Sequence, residues 1–135
     1  MKQKTIPFGF LLDYLIPLDV TVKRMFGVWA IYVNDKIMLI LKQNKDNPET
    51  NGVWLATYRE YHESLKSSLP SLRSISSYSV GLRETEWQVL PVDTEDFEAS
   101  VRFVCELIKH NDIRIGRLPD PGQKRAKAKN INKSG

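Results

Sequence analysis

Apolar residues recur along this chain at two periods, and the alternation between the periods lays out its elements. Phe8, Leu11, Leu12 and Leu15 stand at i, i+3, i+4 and i+7, the stripe of an amphipathic helix, which predicts a first helix over about 8–16. Pro17 stops it. Asp19 to Arg24 reads as a short polar connection. Residues 28–33 and 37–41 are then dense in branched and aromatic side chains, which predicts two strands. Asn34 and Asp35 lie between them, and both tolerate the left-handed backbone of a tight turn. Strands joined by two residues are antiparallel, and near-continuous hydrophobicity places this pair centrally, with little solvent on either face.

Gln43 to Gly52 is polar and contains Pro48, the composition of a loop. Residues 53–57 predict a third strand. Thr57 with Glu60 three residues on has capping-box spacing, which predicts a helix burying Tyr58, Tyr61, Leu65 and Leu69 and ending at Pro70. Ser71 to Ser79 is rich in serine and shows no clear period, and a fourth strand is expected to begin at Ser79 to Leu82. Trp87 to Leu90 predicts a short strand closed by Pro91. Asp93 or Thr94 starts the last helix, whose buried stripe is Phe97, Val101, Val104 and Ile108. Apolar periodicity stops near Ile115. These elements predict an α+β fold over residues 1–118, in two layers, with an antiparallel sheet of about five strands and helices packed mainly on one face. Residues 119–135 are expected to be a disordered basic tail.

The charge changes this picture once it is located. The formal net charge is +4 over 135 residues. Lys124, Arg125, Lys127, Lys129 and Lys133 contribute +5 with no acid among them. That leaves 15 bases against 16 acids, a net −1, on residues 1–122. The body is close to neutral and the basicity belongs to the tail, which either makes weak, non-specific contact with nucleic acid through those five residues or only keeps a nearly neutral body in solution. Cys105 is the single cysteine, so no intramolecular disulfide forms, as in a reducing compartment. The apolar stretch Ile6 to Ile16 is interrupted by Asp13, bracketed by Pro7 and Pro17 and followed by no small-residue cleavage site, so it reads as a buried helix. The longest apolar runs are too short to span a bilayer. A cytoplasmic protein without membrane contact is expected.

The segment Lys23-Arg24-Met25-Phe26-Gly27, followed by a strand reading Ala30-Ile31-Tyr32-Val33 and a turn, resembles the amino-terminal domain of the TfoX family, named after a bacterial competence regulator. Glu86-Trp87-Gln88-Val89-Leu90-Pro91, before an acidic helix start, is similar to that family's aromatic strand, proline and closing helix. The resemblance covers roughly residues 10–115. It departs from the family's pattern at Val28, where a second glycine is usual, at Asn34-Asp35, where Asp-Gly is usual, and in the longer path from Gln43 to Leu69. It implies a two-layer α+β domain and a non-enzymatic regulatory or interaction role linked to transcription or competence.

The residues themselves offer few reactive groups. Lys23 and Arg24 form a basic pair that, with Arg83, could meet a phosphate or an acidic partner. The structural reading of the same segment is a packed Phe26 and a Gly27 that allows a tight turn. Trp29, Trp54 and Trp87 could stack bases, but serve better as core fillers of an antiparallel sheet. His62 and Glu63 do not begin an H-E-x-x-H motif, because Lys66 occupies the second histidine's place, so no metal ligands are expected. Glu84 with Glu86, and the acids at 93–96, have ordinary structural roles at a strand and a helix start. No glycine-rich phosphate loop or nucleophile motif is present, and neither catalytic residues nor a cofactor are expected. Three readings stay open: a regulatory module with a protein partner or self-association, a small-molecule binder or enzyme with a site at a subunit interface, and a nucleic-acid binder acting through the tail.

Overall fold

The computed structural model describes residues 6–77 and 83–118. The elements run α1 (Phe10–Tyr14), β1 (Val20–Met25), β2 (Val28–Val33), β3 (Lys36–Lys42), β4 (Gly52–Leu55), α2 (His62–Ser68), β5 (Arg73–Ser77), β6 (Arg83–Pro91) and α3 (Phe97–Lys109). The strands form one six-stranded sheet in the order β1-β2-β3-β4-β6-β5, every neighbouring pair antiparallel. The α+β class and the helices gathered on one side are as expected; the sheet has one strand more.

Strand parity explains the layering, because alternate residues point to opposite faces. Ile31, Leu39 and Leu55 stand opposite one another across β2, β3 and β4, and so do Leu41, Val53 and Leu90 across β3, β4 and β6. All are buried, and with Leu11 and Leu15 of α1, Leu65 of α2, and Val101, Val104 and Ile108 of α3 they make one core. Each fully buried aliphatic side chain contributes about 1.5–3 kcal/mol. The Phe97, Val101, Val104 and Ile108 stripe predicted for the last helix is the one that packs.

Two strands occupy segments read differently from the sequence. Asp19 to Arg24 was expected as a polar connection, yet Val20–Met25 pairs residue for residue with β2. Part of the serine-rich stretch is β5, paired with β6. Both are edges of the sheet. The strand expected at Ser79 to Leu82 lies outside the described residues, as does the basic tail with Lys124, Arg125, Lys127, Lys129 and Lys133.

Three local expectations are corrected. Thr57 does not cap a helix: its Oγ1 is buried without a hydrogen-bond partner, and a 3-10 turn at Arg59–Tyr61 precedes α2. Backbone anchoring holds Thr57 instead. The Gly116 N–H donates to the Ala56 carbonyl at 2.7 Å and Arg117 Nη1 to the Thr57 carbonyl at 2.9 Å. The turn is capped by Glu86, whose Oε1 accepts the Arg59 N–H at 2.8 Å. The last helix begins at Phe97, later than Asp93 or Thr94, and Thr94 Oγ1 donates to the Pro91 carbonyl at 3.0 Å. The tryptophans are half-buried and outside the fully enclosed core. Trp29 packs on its margin, while Trp54 and Trp87 meet edge to face at 6.3 Å on the sheet's other side.

Among the described residues no helix is long and apolar enough to cross a membrane.

Candidate functional site

The two residues between β1 and β2, Phe26 and Gly27, have φ of 47° and 82°. Positive φ at both central positions is the backbone of the hairpin turn that matches strand twist, normally filled by Asn-Gly or Gly-Gly. Gly27 takes it freely, as expected. For an aromatic residue it is costly. Phe26 was expected to pack, but it is 98% exposed, because the tip of an edge hairpin projects beyond the core. The chain thus holds a large apolar ring in water on a strained backbone.

Beside this tip lies a cleft of about 590 Å³, lined by Arg24, Phe26 and Trp29 on the hairpin, by Asn44 and Asp46 on the β3–β4 loop, and by Pro7. Arg24 and Trp29 are register partners, and the guanidinium carbon sits 4.9 Å from the indole centroid, a cation–π contact. Lys23, one residue earlier, points to the opposite face and lies 5.1 Å from the Tyr32 ring. The basic pair therefore serves two surfaces. Arg83 opens β6, a strand separated from β1 by β2, β3 and β4.

The loop wall is held by an internal cation. Lys42 is 7% exposed, and its Nζ donates to the Asp46 carbonyl at 2.6 Å, the Asn47 carbonyl at 3.1 Å and Asn51 Oδ1 at 2.8 Å. Asn51 also donates from Nδ2 to the Asn44 carbonyl at 2.9 Å and accepts the Asn44 N–H at 3.1 Å. Burial pulls the Lys42 ammonium below its usual range, opposed by the charges of Asp46 and Glu49. Lys42 and Asn51 went unremarked in the sequence; a lysine ending an apolar strand before an Asn-rich loop is the one signal they leave.

The cleft offers a guanidinium, a carboxylate, amides and aromatic rings, which is equipment for binding. The reactive groups elsewhere have structural partners. His62 Nε2 donates to the Glu86 carbonyl at 2.7 Å and His110 Nδ1 to the Glu106 carbonyl at 2.8 Å. Among the described residues no group of three or more His, Cys, Asp or Glu is placed to hold a metal. Cys105 is buried in α3, and burial pushes its thiol up to about 12. Iodoacetamide at pH 8 is accordingly expected to leave Cys105 unmodified in the native protein and to label it only after denaturation; labelling of both at similar rates would show that α3 opens.

No family model, no curated protein and no solved structure matches this chain. The likeness to the TfoX amino-terminal domain therefore rests on the residues quoted for it.

Proposed function

We propose that this chain is a non-enzymatic regulatory or interaction module of the kind its resemblance to the TfoX amino-terminal domain implies, acting in the cytoplasm through a protein partner in transcription or competence control. The observation that carries the reading is Phe26. A left-handed conformation costs a side chain roughly 1–2 kcal/mol, and an exposed ring gains nothing in the free protein. A partner that encloses the ring supplies the missing return. Arg24 and the Asn44–Asp46 wall line the cleft beside it with polar groups, the arrangement of an anchor next to a polar rim.

The test separates stability from binding. Phe26→Asn suits the turn, so it is expected to raise stability by about 1 kcal/mol in denaturant melts. The same variant is expected to lose, in pull-downs from the native cell, the proteins that the wild type and an Ile113→Ser control (Ile113 is exposed, on the α3 end of the chain) both capture. Equal capture by Phe26→Asn sinks the reading.

A further inference from the structure

We infer that the sheet face opposite the helices is a docking surface for single-stranded nucleic acid. Register sets six residues in one row across the whole sheet: Lys23, Ala30, Ile40, Trp54, Val89 and Arg73, each directly opposite the next. Lys23 and Arg73 are exposed, Ile40 and Trp54 half-buried, and Ala30 and Val89 fully buried beneath their neighbours, so the ends and the rings are what the row presents. The row next to it holds Thr21, Tyr32 and Ile37. Half-buried rings, Tyr32 and Trp54, thus stand over a floor of small and branched side chains, with Trp87 edge to face against Trp54. The Trp54 indole N–H donates to the Thr50 carbonyl at 2.9 Å, which fixes the ring's orientation.

Charge selects the occupant. Both ends of the row are exposed cations, Lys23 on edge strand β1 and Arg73 on edge strand β5. No acid stands at any position of the two rows. Asp46 and Glu49 stand on the loop beyond, where the Lys42 charge faces them. A second copy laid face to face would bring cations toward cations, so an anionic occupant fits better. Five inter-strand steps of about 4.8 Å separate the ends by about 24 Å. That accommodates roughly 4 nucleotides, the low end of site sizes on small β folds. A strand of nucleic acid offers what the row asks for: a planar face on every base for Tyr32 and Trp54, and a phosphate at every step for Lys23 and Arg73. The same chain carries five acid-free bases at 124–133, which add sequence-independent attraction to the same polyanion. The surface is separate from the hairpin cleft, and it stands or falls without it.

The experiment titrates full-length protein with an oligothymidine strand and with a duplex of equal length at two salt concentrations, reading tryptophan fluorescence and anisotropy of the labelled nucleic acid. The expected result is quenched tryptophan emission and about tenfold tighter binding of the single strand than of the duplex. Lys23→Glu and Arg73→Glu change exposed edge positions and leave the core intact, and each is expected to weaken binding at least about fivefold and to flatten its salt dependence. Tyr32→Leu is expected to cost about tenfold through the lost stack. Equal affinity for duplex and single strand, absent quenching, or indifference to both charge reversals overturns the proposal and leaves the tail as the only contact. A protein that sediments as a dimer without nucleic acid and becomes a monomer on Tyr32→Leu also overturns it, in favour of a second copy.

Discussion

Gly52→Ala is expected to destabilise the fold by about 4 kcal/mol or more, enough to abolish a cooperative melt in a domain of ordinary stability. Gly52 opens β4 at φ 147°, and a Cβ built there would lie 2.0 Å from the Leu90 carbonyl oxygen, 3.0 Å from the Leu90 carbonyl carbon and 3.0 Å from the Val92 nitrogen. All three are backbone atoms of the neighbouring strand or its exit, so no rotamer change makes room. Relief requires β4 to move off β6. That move opens the pairings of Val53 with Leu90 and Trp54 with Val89, and withdraws two fully buried side chains of the core. Gly27→Ala provides the comparison. Gly27 also has positive φ, but the nearest atom to its added Cβ is Asn44 Nδ2 at 3.9 Å, so only backbone strain applies and about 1 kcal/mol is expected. Urea melts of the two variants check the ranking; equal destabilisation would falsify the packing argument.

Gly52 also marks where sequence reading reaches its limit. The apolar strands β2, β3, β4 and the second half of β6 were legible because each has neighbours on both sides and carries buried or half-buried residues along its length. The two strands that were not legible, β1 and β5, are the two edges. An edge needs to bury little: four of the six β1 residues are exposed, and Lys23 and Arg24 stand where a central strand would carry apolar side chains. Its strand identity comes from backbone pairing with β2, which no side-chain period records. The hairpin turn was hidden for a related reason, since Phe26 is a poor residue for the backbone it adopts. A rule broken locally without a structural return is what a binding site looks like from the sequence side. Thr57 erred in the other direction. Its spacing to Glu60 satisfies a local rule, yet contacts with residues 116 and 117, some 60 positions away, keep the backbone extended there. Of the site, Lys23 and Arg24 were readable as a basic pair. Their division between two faces follows from strand parity, and became visible once β1 was a strand.

The loop that walls the cleft depends on a contact of the same hidden kind. Lys42→Met is expected to cost about 2 kcal/mol, since hydrogen bonds to a charged group contribute about 1.5–3 kcal/mol. Methionine matches the stem of lysine and fills the same space, so the loss reads the ammonium alone. The Asp46 carbonyl loses its lysine donor, the Asn47 carbonyl keeps the Thr50 N–H and hydroxyl, and Asn51 Oδ1 keeps only the Asn44 N–H. Lys42→Arg is expected to rescue little, because a planar fork does not fit a cage built around a point charge. Trypsin supplies a local readout: Lys45 is exposed on this loop, and cleavage after it is expected to accelerate in Lys42→Met at temperatures where the sheet remains folded. The pH dependence gives a second. The folded Lys42 has its pKa below the usual 10.5, so in the window just under 10.5 the unfolded chain holds more protons than the folded one. Stability from this group alone therefore rises with pH through that window, and Lys42→Met removes the rise. Unchanged trypsin cleavage and an unchanged alkaline limb in Lys42→Met would mean that the loop is ordered by its asparagines and that the cation is a passenger.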